Sequence, residues 1–410
     1  MNDRIRARLL RCAWLTVLCT VVILPGSAQE ATAQLPDSLS AGARISVLTV
    51  NPGDAIYSYW GHSALRVTDP VHGFDAVFNW GTFDPARPWF VPRFAYGDMQ
   101  YELSVDPMTR FFRGANAEQR GVIEQQLNLD ADRKQALWSL LLENMHPDNK
   151  AYAYDFVRDN CSTRILDLLA EVDGVVLADP SADPPSYRQM VDEFVHQEAW
   201  LDLGIDLAFG SPMDRDVQTE DRAFLPLHLL ALLDGASTPE GQPLVSETRT
   251  LLDIPWQPAE RDFDRVQWLF WVLSLLIIVF TGRSMRTNSL TGPEPLDRFL
   301  LGLLGFIGLF LLLMWTATLH WVTGWNADIL WALPTHFVVA IWWKRAPWLA
   351  TYLRISALVM GTAVLLQLTL IQPIPPAMTP LAAAAAIRFW VVGQRMSAKP
   401  AAKSVTPSAA

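Results

Sequence analysis

Five apolar segments fill the last third of the chain, at 266–281, 299–319, 329–343, 348–371 and 377–392. A helix needs about 20 apolar residues to cross the hydrocarbon of a bilayer. The shorter segments approach that length once the Trp and Arg residues beside them extend into the interfaces. The pattern therefore predicts a bundle of five transmembrane helices, and the loops predict its orientation. Arg283, Arg286 and Arg298 occupy the first connection; Lys344 and Arg345 occupy the third, with Arg354 just inside the next segment; Arg395, Lys399 and Lys403 follow the last. The connections at 320–328 and 372–376 contain no Lys or Arg. Cytoplasmic loops carry the excess of Lys and Arg. The first and third connections and the C-terminus are thus expected inside, and everything before residue 264 outside. Trp256, Trp268, Trp315, Trp321, Trp325, Trp343 and Trp348 gather near segment ends, as interfacial belts do.

The N-terminus agrees with that orientation. Arg4, Arg6, Arg8 and Arg11 precede an apolar run at 13–24, and Pro25, Gly26, Ser27 and Ala28 follow it. This is the form of a secretory signal cleaved after Ala28; the alternative is a short uncleaved anchor. Cys12 and Cys19 lack a lipobox and would leave with the signal, so the mature chain would keep one thiol, Cys161. A single thiol makes no intramolecular disulfide, and in an oxidising compartment it is either buried and inert or chemically employed.

Charge divides the chain at the same place. Residues 29–264 hold 17 Lys and Arg against 38 Asp and Glu, whereas residues 265–410 hold 11 against 3. So acidic a domain is a poor nucleic-acid binder, because duplex binding needs cations to replace phosphate counterions. The expected organisation is a signal at 1–28, an extracytoplasmic domain at 29–263, a transmembrane domain at 264–396 and a disordered tail at 397–410 rich in Ala, Ser, Lys and Pro.

The extracytoplasmic domain reads as α+β. Strands are expected at 45–50, 62–68 and 76–80, and helices at 119–141 and 161–172. In the second helix Ile165, Leu168, Leu169 and Val172 share one face, with Asp159 or Asn160 as N-cap. The Pro-rich stretch 178–186 is a loop, and 238–244 is a turn-rich linker leading to the membrane.

Asp159-Asn160-Cys161-Ser162-Thr163-Arg164 sets the thiol on the first turn of a predicted helix, where unpaired N–H groups favour thiolate over thiol. The same groups can stabilise an oxyanion. A thiolate needs a proton carrier, and His62, directly after Gly61 at the start of a strand, is the best candidate for a Cys–His nucleophile pair. The plain alternatives are a buried inert cysteine and a structural histidine. No His-x-x-x-His or Cys-x-x-Cys spacing occurs, so no metal and no other cofactor is expected.

Tyr59-Trp60-Gly61-His62-Ser63-Ala64-Leu65-Arg66, Phe78-Asn79-Trp80-Gly81, Tyr154-Asp155-Phe156 with Asn160-Cys161-Ser162-Thr163-Arg164, and Phe224-Leu225-Pro226 resemble the periplasmic domain of the Lnb-type lipoprotein N-acyltransferases. The likeness continues at Leu319 to Asn326 and at Leu330-Trp331-Ala332-Leu333-Pro334. The order His then Cys also resembles circularly permuted papain-like domains of the lecithin:retinol acyltransferase and NlpC groups. The resemblance implies Cys161 as nucleophile and His62 as base, with Asn79, or failing it Asp84, orienting the imidazole. It implies a membrane phospholipid as acyl donor and a lipoprotein N-terminal amine as acceptor, at the outer face of a bacterial inner membrane. His320 and Asn326, on the outer loop, and Arg66 and Arg164 are candidates for binding a lipid head group, with interfacial packing and ion pairing as the alternatives. His336, inside the third segment, is either functional or a neutral histidine bonded between helices. The competing functions are a membrane-anchored NlpC-like peptidase or amidase of the cell envelope and a non-catalytic tethered binding domain. Five membrane helices exceed what a wall hydrolase needs, and a binding module has no need of the Gly-His and Asn-Cys pairing.

Overall fold

The computed structural model describes residues 35–173, 175–178, 184–196, 198–257, 265–287, 294–342, 347–367 and 372–397. The signal expected at 1–28 and the tail expected beyond residue 397 lie outside the described residues. In the first part of the chain the elements run β1 (Arg44–Val50), β2 (His62–Asp69), β3 (Phe74–Thr82), α1 (Phe90–Tyr96), β4 (Gln100–Pro107), α2 (Met108–Ala117), β5 (Val122–Leu127), α3 (Ala131–Met145), β6 (Ala151–Ala153), α4 (Cys161–Asp173), α5 (Tyr187–Val195), α6 (Ala199–Ala208), α7 (Pro226–Asp234) and β7 (Val245–Leu252). The seven strands form one antiparallel sheet in the order β6-β4-β3-β2-β1-β5-β7.

The centre of the sheet is buried on both faces. Val47, Leu48, Ala64, Leu65 and Val77 are sealed from solvent, so β1 to β3 read as nearly continuous apolar runs. Trp138 of α3 is likewise sealed and meets the edge of Phe78 at 5.8 Å between ring centroids. On α4, Ile165, Leu168 and Leu169 are buried as their spacing predicts. A fully buried aliphatic side chain is worth about 1.5–3 kcal/mol. This face therefore fixes the helix on the sheet, with its N-terminus at the edge of β2.

The strands expected at 45–50, 62–68 and 76–80 form, each a little longer. The helix expected at 119–141 does not form as one element. Residues 122–127 are instead β5, hydrogen-bonded between β1 and β7, and the helix begins only at Ala131, where Asp130 Oδ1 accepts from Arg133 N–H at 2.8 Å. Tertiary pairing overrides the local periodicity there. The turn at 238–244 likewise does not lead straight to the membrane: the chain first adds β7 to the sheet edge.

The second part contains α8 (Arg265–Arg286), α9 (Pro295–Ala317), α10 (Thr335–Ile341), α11 (Pro347–Leu366) and α12 (Met378–Ser397). Among the described residues α8, α9 and α11 are long and apolar enough to span a bilayer. The third expected segment, 329–343, is broken. A 3-10 turn at Ala327–Leu330 and irregular backbone precede the short α10, whose first turn follows Pro334. Two glycines of α9 admit this strand of irregular chain. A Cβ on Gly308 would stand 1.6 Å from Ala332 O, and one on Gly305 would stand 2.0 Å from Phe337 N. Trp331 and Ala332 are fully enclosed by protein, the condition under which non-helical backbone is tolerated at membrane depth. Arg388 of α12, also sealed, donates to Asp297 at 2.6 Å and to Glu294 at 2.8 Å, which ties α12 to the start of α9.

The two connections without Lys or Arg are those that meet the sheet-bearing part. Leu319 N–H donates to Tyr96 O at 2.8 Å, Gly210 N–H to Val322 O at 2.8 Å, and Gln372 Nε2 to Phe209 O at 3.2 Å.

Candidate active site

Local chemistry brings Cys161 to the first residue of α4. Asn160 caps the helix: its Oδ1 accepts from Ser162 N–H at 2.8 Å and Thr163 N–H at 3.1 Å. Its Nδ2 donates to Phe156 O at 2.7 Å and Phe224 O at 2.8 Å, so the cap is anchored on both sides. The N–H groups of a helix's first turn have no intrahelical acceptor. Asn160 takes those of Ser162 and Thr163.

His62 opens β2. Gly61 before it adopts φ +85°, and a Cβ there would lie 2.8 Å from Val50 O and 3.4 Å from Pro226 Cβ. Only glycine takes that conformation without strain, so the Gly-His pair has a steric cause. Phe224 to Pro226, far away in sequence, holds both halves of the site: Phe224 O fixes Asn160 and Pro226 closes over Gly61.

His62 Nε2 donates to Asn79 Oδ1 at 3.3 Å. Asn79 stands on the neighbouring strand β3 and is 8% exposed, so this partner is held in a shielded position. The other ring nitrogen is then the one left for Cys161, and the two groups act on each other's titration. Burial pushes the Cys161 thiol up, but the charge and hydrogen bond of His62, the Ser63 N–H and Ser162 together outweigh it, and the thiol titrates below its ordinary range. Burial pushes His62 down; the charge and hydrogen bond of Cys161 and the Asn79 bond outweigh that and the repulsion of Arg120, and His62 titrates above its ordinary range. Opposite shifts of this kind describe a thiolate–imidazolium pair. Cys161 retains partial solvent exposure, as a nucleophile requires.

Of the other residues singled out in the sequence, Asp84 lies away from His62 and caps its own turn by accepting from Ala86 N–H at 2.9 Å. Arg66 holds Asp75 at 2.7 Å and Glu124 at 2.9 Å. Arg164 grips Asp159 through two bonds and stacks 3.8 Å over the Tyr152 ring. Asn326 is 3% exposed and spends its amide on Leu207 O at 2.8 Å, on Asp328 N–H at 3.0 Å and on Gln372. His320 donates to Phe94 O at 3.0 Å. All four have protein partners, and Arg164, on the first turn of α4, lies nearest Cys161 along the chain. His336 is sealed and bonds Tyr352 through Nδ1 at 2.6 Å.

Several participants carried no individual signal in the sequence. Ser63 and Ser162, each next to a site residue, bond to one another at 3.0 Å. Tyr154 and Tyr152 lie within the electrostatic reach of Cys161 and are pushed up, first by burial and then by its charge. On the far side of α4 a cleft of about 570 Å³ is lined by Arg158, Thr163, Asp167, Tyr187, Asp221 and Trp321, among others. Among the described residues no three His, Cys, Asp or Glu side chains come together as a metal site would need.

A family model described as the Lnb N-terminal periplasmic domain matches residues 35–193, and one described as the Lnb transmembrane domain matches residues 264–396. No curated protein and no solved structure matches the chain.

Proposed function

The chain belongs to the Lnb family, a membrane protein with a periplasmic domain, and from that membership and the site geometry we propose that it is a lipoprotein N-acyltransferase working through a Cys161 thioester. The observation that carries the reading is His62, hydrogen-bonded to Asn79 and interacting through its ring with Cys161 at the start of α4. That constellation of nucleophile, base and orienting group is what nucleophilic acyl transfer needs. Its layout, histidine on a strand followed in the chain by cysteine at a helix start, favours a permuted papain-like core.

In the proposed reaction the Cys161 thiolate attacks the ester carbonyl of a membrane phospholipid. The tetrahedral oxyanion is met by the Cys161 N–H at the positive end of α4. As the ester C–O bond breaks, the His62 imidazolium gives its proton to the departing alkoxide, leaving a thioester on Cys161 and a neutral imidazole. The free amine of a diacylglyceryl-cysteine at a lipoprotein N-terminus then attacks the thioester. His62 takes a proton from the amine, the amide forms, and sulfur leaves as thiolate, which restores the pair. Asn79 keeps the ring oriented throughout. Both substrates are lipids, which is consistent with a site carried directly on the membrane part, with residues 264–396 as five membrane passes and the C-terminus in the cytoplasm.

The test is direct. The purified protein is incubated with phospholipid and examined by mass spectrometry for an acyl group on Cys161 that hydroxylamine removes, with Cys161→Ala as control. Acyl label on Cys161 that passes to a lipoprotein peptide is the expected result. Absence of label with cleavage of wall peptides instead would replace this reading with the peptidase.

A further inference from the structure

We propose that α1 is a wedge seated in the outer leaflet of the bilayer that α9 spans, and that the rings of Phe94, Phe90, Phe83, Tyr101 and Tyr154 form the track along which a lipid acyl chain lies while its ester reaches Cys161. The second half of this proposal rests on the acyl-transfer reading; the first does not.

The helix is short, and its side chains face outward. Trp89 is 77% exposed, Val91 72%, and Phe94 and Tyr96 49% each. Soluble surfaces rarely gather so many large apolar groups in one patch, and a contiguous patch of this kind marks an interaction site. Trp89 also adopts φ +62°, a conformation uncommon for a bulky residue. The chain thus accepts strain at the most exposed residue of this patch.

The position of α1 identifies the occupant. Tyr96 O accepts from Leu319 N–H at 2.8 Å and Phe94 O accepts from His320 at 3.0 Å, two and three residues past the end of the spanning helix α9. Gly97, in the left-handed region at φ +93°, brings the backbones together, since a Cβ there would stand 3.1 Å from Leu319 Cβ. The outward face of α9 leading to this junction, Phe310 and Leu313, is itself about half exposed. The α1 patch is therefore continuous with lipid-facing surface and lies at the depth where Trp and Tyr favour the interface.

From that patch a file of rings runs inward. Phe94 follows Phe90 at 6.3 Å between centroids, Phe90 stacks on Phe83 at 5.5 Å, Phe83 on Tyr101 at 5.0 Å, and Tyr101 on Tyr154 at 4.5 Å. Beyond Tyr154 the chain closes on itself, Asp155 N–H donating to Asp159 O at 3.0 Å and Asp159 N–H to Asp155 O at 3.1 Å, which returns it beside Tyr154 just before Cys161. The file carries apolar contact from the bilayer as far as Tyr154, on the chain's approach to the nucleophile.

Two measurements test this. In a Cys12→Ser, Cys19→Ser, Cys161→Ala background, a nitroxide is placed by Val91→Cys or, as control, by Asp148→Cys, whose native side chain is 86% exposed. In vesicles of phosphatidylethanolamine and phosphatidylglycerol, the label at 91 should relax more with oxygen than with a water-soluble nickel chelate, and the label at 148 the reverse. Equal access of nickel to both positions overturns the wedge. In the otherwise native chain, Val91→Glu and Phe94→Glu should lower the ratio of Cys161 acylation by vesicle lipid to acylation by a soluble short-chain ester at least tenfold. An unchanged ratio overturns the track. If the native protein takes acyl groups from the soluble ester but none from vesicles, the track fails with the acyltransferase reading, and the nitroxide result alone decides the wedge.

Discussion

Ser162 Oγ donates to Ser63 Oγ at 3.0 Å, and both side chains are sealed from solvent. Each serine is the next residue after a partner in the chemistry, Cys161 and His62. The bond therefore sets where the start of α4 stops along the edge of β2, and with it the reach between sulfur and imidazole. Ser63→Ala leaves the Ser162 hydroxyl buried without its partner, which costs about 1–3 kcal/mol. Thermal unfolding of the full chain in detergent should show that loss. The Ser63→Ala, Ser162→Ala double variant should lose less than the sum of the two single changes, because residues in contact do not add. Additive losses would mean that the two hydroxyls do not act as a pair.

The opposite shifts of Cys161 and His62 give a pH profile with a definite shape. Sulfur is anionic above the lowered thiol pKa, and the ring carries its proton below the raised histidine pKa. Alkylation of Cys161 by iodoacetamide should therefore stay fast as pH falls through the ordinary thiol range, and decline only below it. Turnover should rise through the Cys161 titration and fall again as His62 loses the proton that the leaving alkoxide needs. His62→Ala removes the largest influence that lowers the thiol pKa and leaves burial opposed only by the Ser63 N–H and Ser162. Alkylation near neutral pH should then drop roughly tenfold for each unit the thiol moves upward, and acyl transfer should fall about 10²–10⁴-fold. An alkylation profile unaltered by His62→Ala would separate the histidine from the sulfur.

Asn79 bonds the His62 ring, and in the proposed mechanism it acts through that ring and not on substrate. Asn79→Ala removes one hydrogen bond, worth about 1 kcal/mol, and frees the ring to turn away, so kcat should fall while KM for lipid stays. Asn79→Asp puts a carboxylate beside the imidazolium and favours its charged form. The alkaline limb of the profile should move to higher pH in that variant. A limb that stays fixed would assign His62 another partner.

The local setting of Cys161 and His62 was legible because its signals are local. Cys161 follows a helix-capping Asn160, and His62 follows a glycine that the structure shows at φ +85° under Val50 O. Asn79 was legible through its motif. What the sequence concealed is non-local. The run at 122–127 has no property that distinguishes an inner strand from a helix turn until β7 arrives some 120 residues later to pair with it. Arg66 and Arg164 look like phosphate ligands until Asp75, Glu124 and Asp159 are placed beside them. The third apolar segment counts as a span by hydropathy alone. Its break appears only with the packing of Ala332 onto Gly308, a contact between two segments.

Gly308→Leu tests that contact. A Cβ at 308 would overlap Ala332 O, and a leucine would drive the broken segment from α9. Thermal stability in detergent should collapse, whereas Gly302→Leu, where the nearest contact is Ala340 Cβ at 3.8 Å, should be tolerated far better. Equal tolerance would mean that residues 331–334 do not pack on α9.

Asp328 ties the start of the same segment to Gln372, and its titration should be visible in stability. Its carboxylate is 1% exposed and accepts from Trp331 Nε1 at 2.7 Å and Gln372 Nε2 at 3.3 Å. Burial, the dominant cause, raises its pKa to about 7; the Trp331 bond and Arg188 pull it down, and Asp206 and Asp214 push it up. An unfolded aspartate titrates near 3.9, so between about pH 4 and 7 the folded chain holds a proton that the unfolded chain has lost. More protons bound in the folded state means that stability falls as pH rises through that window, and the loss is complete above it. Asp328→Asn keeps an acceptor for Trp331 and has nothing to ionise. The variant should match the native chain near pH 4 and exceed it at pH 8 by an amount on the order of a few kcal/mol. Melting curves of both proteins in detergent across that range decide the matter, and parallel curves would place the ionised carboxylate in water.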